Sequence, residues 1–306
     1  MFEEGRYMKT KLILCSFLAL NFLNANAVEN SNKIINPIKV SPKVIYGNDD
    51  RFDVYESSDS LMRGIAGSTA AMINNDHLIL NNGTYTLKSE TLAEGGVCKS
   101  ERFADQMAPA DCSGFLVAPD TIVTAGHCIT SMNDCETYSW VFDFANNTEE
   151  KSAFTFNQKQ VYHCTKIIAR EKNNSNQNDY AVVKLDRSTG RTPLKFRTEG
   201  KVDNNAVLTV IGHPSGLPLK ITAAADMRKN TNAIYFVTNA DTYGGNSGSA
   251  VVDSRTGVVE GILVRGDQDY ESNPNGEACS VSVHRTVKGG RGEDVTRITN
   301  IKVLKK

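Results

Sequence analysis

Neither sign of charge is in excess in this chain. Its 306 residues carry 34 Lys+Arg against 35 Asp+Glu, a formal net charge of −1. That balance forces no basic face, so nucleic acid is not an expected partner. Long apolar runs are scarce as well. The one extended run goes from Leu12 to Leu23, short of the ~18 or more residues that cross a bilayer as a helix. No CxxC pair occurs, and without clustered thiolates a structural metal site lacks its ligand set. Neither a metal nor a cofactor is expected. No repeat of solenoid period is visible. Histidine is rare, with 5 in the chain, which shortens any search for a catalytic base.

The N-terminal run has a use of its own. From Met8, "MKTKLILCSFLALNFLNANA" presents two lysines, the apolar stretch, and then Ala25-Asn26-Ala27. This is the three-part layout of a secretory signal, with cleavage expected after Ala27. The acidic residues ahead of Met8 point to Met8 as the start of that signal. Cys15 has no small residue before it and further apolar residues after it, unlike a lipid-modified cysteine. Residues 1–27 are thus expected to be removed, leaving a mature chain with no membrane anchor, secreted or periplasmic. Six cysteines then remain: Cys98, Cys112, Cys128, Cys135, Cys164 and Cys279. An even number outside the reducing cytosol favours disulfides.

Residues 28–64 are polar and broken by prolines and acidic clusters, as in "NPIKVSPKVIYGNDDRFDVYESSDS", and read as a pro-segment or N-terminal arm. "GNDDRFD" within it reads as solvated surface, not as a calcium loop. From Ile65 onward, residues 65–306 carry short apolar runs between turns: "GFLVAPDTIVTAGH", "YSWVFDF", "DYAVVKLD", "AVLTVIGH", "SAVVDSRTGVVEGILV". Many strands of five to eight residues at short spacing argue for an all-β barrel or sandwich. "GEDVTRITNIKVL" has Val295, Ile298, Ile301 and Val303 in near-helical register and is expected to form a short C-terminal helix, against the leaning of its β-branched residues.

"DTYGGNSGSAV" sets Ser247 among glycines. A serine hydroxyl is a weak nucleophile at neutral pH and needs a base in hydrogen-bond reach, itself oriented by a third group. His77, His163, His213 and His284 lie in polar, strand-like or turn surroundings and read as structural or solvated. His127 follows "TIVTAG" at a strand end and adjoins Cys128, while Cys112 heads the preceding strand. A bridge between these cysteines would clamp the two strands and give the imidazole the rigid mount a general base requires. Asp179 opens "DYAVVKLD" and could hold the imidazole tautomer; Asp186, at the other end of that run, is the alternative.

"TAGHC", "NDYAVVKL" and "GGNSGSAV" together resemble the His, Asp and Ser boxes of the chymotrypsin-fold (trypsin-like) serine proteases, and most of all the bacterial V8-like, glutamyl endopeptidase branch. The resemblance runs from about Ile65 to the C-terminus and keeps the family order of the boxes. It implies two packed six-stranded antiparallel β-barrels with the site in the cleft between them. His127, Asp179 and Ser247 would be the triad, and the N–H groups of Gly245 and Ser247 the oxyanion hole. The implied activity is peptide-bond hydrolysis through an acyl-enzyme, by a monomer whose partner is a protein or peptide substrate. An esterase using the same triad is a remoter alternative, and a protease-fold binding module that does not cleave is the alternative from another class.

The chain also departs from its relatives. Asn246 stands where animal trypsin-like enzymes carry the aspartate of the activation ion pair, a departure shared by the V8-like branch. Asp241, six residues before Ser247, matches the position of a carboxylate that binds Arg or Lys. Thr242 matches the V8-like pocket threonine, but Leu263 replaces its histidine, and Arg265 lies on the strand expected to line the pocket. Preference for a cationic or an acidic side chain therefore stays open. For the disulfides, Cys112–Cys128 is expected first, then Cys135–Cys164 with Cys98–Cys279.

Overall fold

The computed structural model describes residues 44–149 and 153–305. The signal segment and residues 28–43 of the expected arm lie outside the described residues. Six strands close the first barrel: β1 (Thr69–Asn74), β2 (Ala110–Ala118), β3 (Thr121–Thr124), β4 (Tyr138–Phe142), β5 (Val161–Lys172) and β6 (Asp179–Leu185). Six more close the second: β7 (Val207–Gly212), β8 (Lys220–Lys229), β9 (Tyr235–Thr238), β10 (Ala250–Asp253), β11 (Val259–Arg265) and β12 (Glu293–Arg297). Around the first barrel the order is β1-β2-β3-β6-β5-β4, and around the second β7-β8-β9-β12-β11-β10. The same path is therefore traced twice, and every barrel pairing is antiparallel. This is the expected all-β, chymotrypsin-like architecture.

The apolar residues that mark the strands in sequence fill these barrels. One cluster runs without a break from Phe115, Ile122, Trp140 and Val183 to Ile211, Val252 and Ile262, so the two barrels share a packed contact. Each such fully buried side chain contributes roughly 1.5–3 kcal/mol. A second cluster, with Leu208, Val210, Phe236, Val251, Leu263 and Val295, fills the second barrel.

Two expectations are corrected. The boundary at Gly64/Ile65 falls inside a helix, Ser60–Ala66, whose N-terminus is capped by Asp59 accepting from the N–H groups of Leu61 and Met62. Arg51–Asp53 adds a strand to the edge of β8, and Val44, Ile45 and Tyr46 are buried. Polar composition had marked this stretch as an arm, but its charges are partnered. Arg51 pairs with Asp49 at 2.8 Å, and the buried Lys220 ammonium reaches Asp53 at 2.5 Å and the Gln106 amide oxygen at 2.7 Å. At the other end, Val295 and Thr296 lie in β12, followed by two 3-10 turns, Ile298–Asn300 and Lys302–Leu304, in place of an α-helix. The β-branched residues there pair with β9 and β11, which a pleated surface accommodates better than a helix.

Candidate active site

Antiparallel pairing explains how two distant boxes meet. Thr124, at the end of β3, is opposite Ala181 in β6. The chain leaving β3 and the residue opening β6 therefore lie at one end of the barrel. His127 occupies the turn after β3, and its ring Nδ1 lies 3.0 Å from Asp179 Oδ2 while its N–H donates to Oδ1 at 3.1 Å. Carboxylate and imidazole are thus bound twice, which fixes the Nδ1–H tautomer and makes Nε2 the acceptor nitrogen of the ring. Arg170, from β5, donates to the carbonyls of Gly126 and Ile129 at 2.8 and 2.7 Å and braces the same turn.

Asp179 is fully buried. Burial pushes its carboxyl up, but hydrogen bonds and charge from His127 and Lys172 outweigh that, and its pKa lies below the usual value. Lys172 Nζ is 3.1 Å from Oδ2, the oxygen that also takes the imidazole, and Arg265 Nη1 is 3.9 Å away. Asp186, the alternative, instead pairs with Arg187 and accepts from the His163 N–H.

Ser247 reaches the first barrel through its backbone. Its carbonyl accepts from the Ser113 N–H at 2.8 Å and lies 3.7 Å from Cys128 Sγ. Cys112 and Cys128 are bridged, and an His127 ring nitrogen lies within 4.8 Å of both sulfurs. The imidazole and the Ser247 segment thus flank one disulfide, whose sulfurs are not available to a metal. The other bridges are Cys135–Cys164 and Cys98–Cys279.

The loop carrying Ser247 has its peptides aimed. Gly244 C=O accepts from the Ser215 N–H at 2.5 Å, and Asn246 C=O from the Ser249 N–H at 2.9 Å. In a trans peptide the N–H points opposite to the C=O, so the N–H groups of Gly245 and Ser247 are turned away from these ties. Among the described residues neither has a protein acceptor. Gly245 (φ +82°) and Gly248 (φ +91°) make this path possible. A Cβ on Gly245 would lie 2.4 Å from the His213 carbonyl, and one on Gly248 2.0 Å from that of Ser113. Side chains are excluded at both positions by conformation and by space. Asn246 is buried beside them, its side-chain oxygen accepting from the Ser249 hydroxyl at 3.1 Å.

Of the residues expected to form the specificity pocket, Asp241, Thr242 and Arg265 are hydrogen-bonded within the protein and Leu263 is in the core. The Asp241 carboxyl accepts from the N–H groups of Tyr46 and Asp50 at 2.6 and 2.9 Å. Burial nevertheless pushes it up to about 7. Leu263 packs inside the second barrel, because its position on β11 points inward. Arg265 donates to Asp294 and to the Gln177 carbonyl. Thr242 donates to Glu293 at 2.5 Å, and this carboxylate, missed in the sequence, also accepts from the Asp267 N–H at 3.2 Å and the Tyr46 hydroxyl at 3.4 Å. The acidic residue that opens the strand in "GEDVTR" was the available signal.

Among solved structures, similarity is found to a Glu endopeptidase bound to MPD (17% identity, TM-score 0.44, covering 84% of this chain and 96% of that one). The Vibrio cholerae VesB protease is also similar (13%, TM-score 0.49, 85% of this chain and 66% of that one). No curated protein matches the chain in sequence. Residues 112–262 match the family model described as the trypsin-like peptidase domain, and the two six-stranded barrels, which extend beyond that stretch at both ends, have the chymotrypsin-like fold.

Proposed function

We propose that the protein is an exported serine endopeptidase of the V8-like type, hydrolysing peptide bonds through an acyl-enzyme. Ser247 attacks the scissile carbonyl, His127 takes its proton and returns it to the leaving amine, and Asp179 holds the imidazole. The N–H groups of Gly245 and Ser247 receive the developing oxyanion. The observation that carries this reading is the doubly bonded His127–Asp179 pair, with Nδ1 3.0 Å from the carboxylate, facing the bridge on which the Ser247 segment rests. Three disulfides support an oxidising compartment, and no helix among the described residues is long and apolar enough to cross a membrane.

The test is labelling by a fluorophosphonate probe. Folded, processed protein is expected to carry one label, on Ser247, and Ser247→Ala none. Folded protein left unlabelled would end the reading. A peptide-binding module without turnover is the rival, and Ser247→Ala separates the two: binding would survive the change, whereas hydrolysis, expected to fall by about 10⁶ in kcat, would not. Cleavage profiles of a peptide library give the P1 preference.

A further inference from the structure

Ser113 joins the two barrels at the point where the oxyanion loop is held. It lies on β2, next to the Cys112–Cys128 bridge, and is fully buried. Its hydroxyl donates to the Gly245 carbonyl at 2.8 Å and accepts from the His213 N–H at 2.9 Å. Its backbone N–H takes the Ser247 carbonyl at 2.8 Å, and its own carbonyl accepts from the Thr124 hydroxyl at 2.7 Å. One residue of the first barrel therefore grips the second barrel's loop at both Gly245 and Ser247.

The far side of that grip is equally fixed. His213 begins the turn His213-Pro214-Ser215-Gly216, in which Ser215 takes φ +54° and Gly216 φ +81°. Its imidazole is buried, stacked on Phe144 with centroids 5.7 Å apart, and lies 3.0 Å from the Leu217 carbonyl through Nδ1. Burial holds the ring neutral, with a pKa near 3, so Nδ1 carries the proton and donates. The same turn supplies the Ser215 N–H that ties Gly244, and Asp269 accepts from the Gly244 N–H at 2.8 Å. Every peptide from 244 to 247 has a tied carbonyl, but only the Gly245 tie comes from a side chain, and hence from a group that a substitution can remove.

We propose that Ser113 is a positioning residue: its hydroxyl, seated on the His213 N–H, holds the Gly245 carbonyl and thereby keeps the Gly245 and Ser247 N–H groups aimed at one point. This inference deepens the protease reading above and rests on it. Removal of the hydroxyl leaves the Gly245 carbonyl and the His213 N–H without partners, and leaves the 245–246 peptide with one tie in place of two, from the Asn246 N–H to the Tyr243 carbonyl at 3.0 Å. Gly245 itself, having no Cβ, adds little resistance to rotation of that peptide, so the remaining tie carries it alone. The two amides would then diverge, at a cost to the transition state and not to the bound substrate.

Ser113→Ala is expected to lower kcat by about 10- to 100-fold with KM within two-fold. A peptide boronate, which forms the tetrahedral adduct, should bind weaker by the same factor, while a cleaved product peptide binds as before. Thermal melts establish that the variant is folded, and Ser113→Gly carries the same criteria if Ser113→Ala does not fold. A folded variant with kcat and boronate affinity both within two-fold of wild type would overturn the assignment, as would equal losses in boronate and product binding. If the wild-type protein itself neither turns over nor labels at Ser247, it is the protease reading that has failed.

Discussion

The two barrels follow the same strand path yet contribute to the site by different means. The first offers side chains from strand ends: His127 from the turn after β3 and Asp179 at the head of β6. It is also the stapled half, with Cys112–Cys128 and Cys135–Cys164 both within its span. The second offers a backbone: the loop from β9 to β10, whose peptides are turned so that two amides are left unused by the protein. Under the proposed function, the contrast follows from the work each half does. A base and its orienting carboxylate need fixed side chains, which strand ends provide. An oxyanion site needs two N–H groups pointing one way, which a regular strand cannot supply, because successive amides alternate in direction.

The sharpest way to break this comparison is Asp179→Asn. If the first barrel's task is to hold the imidazole, turnover should fall by about 10⁴ while fluorophosphonate-independent measures of folding, such as near-UV circular dichroism, stay unchanged. A drop of less than about tenfold would show that the His127–Asp179 pair is not the catalytic couple. Next in size is Asp53→Ala, at the edge of the second barrel. Lys220 is fully buried, and burial lowers its pKa to about 8 although Asp53 opposes this. Stranding that ammonium should cost roughly 3–5 kcal/mol in urea unfolding, with kcat per folded molecule unaffected. If stability is unchanged, residues 44–53 are an appendage after all. Third, replacing both Cys135 and Cys164 by Ser removes a staple that the second barrel does without. The bridge closes a separation of 29 residues, so a loss of about 2–4 kcal/mol is expected, again without effect on kcat.

The same contrast explains what could be read from the sequence. The strands and the meeting of His127 with Asp179 were legible because each box is local: an apolar run, a turn, and a polar residue at its end. The hairpin "GFLVAPDTIVTAGHC" gives β2, β3 and His127 in one stretch. The tie from Ser113 to Gly245 spans 132 residues and that from Tyr46 to Asp241 spans 195, and neither leaves a local pattern. The segment from Val44 to Gly64 was misread for the same reason. Its acidic and basic residues look solvated in sequence, and only the fold brings Lys220 to Asp53 and the Asp241 carboxyl under the N–H groups of Tyr46 and Asp50. Leu263 was placed at the pocket by its match to a family position but lies in the core, because strand parity, not residue type, decides which side chain faces inward.

The smallest expected effect probes the point where the first barrel tunes its own couple. Lys172 and Asp179 face each other across the β5–β6 pairing, so the ammonium sits on the carboxylate by register. The Asp179 pKa is lowered against the pull of burial, by His127 first and by Lys172 after it. A carboxylate with a depressed native pKa contributes stability that is present above its unfolded pKa, near 4, and is lost as the pH falls below that. Lys172→Met should therefore move acid unfolding to higher pH. The midpoint of acid unfolding should rise by up to about one pH unit. The lysine side chain is 28% exposed, and solvent screening holds the shift to that scale. Arg265, at 3.9 Å from the same oxygen, remains in the variant and bounds the change further. An acid-unfolding midpoint that does not move would mean that Lys172 is a surface cation that merely happens to lie near the couple, and that the pairing of β5 with β6 positions Asp179 through the backbone alone.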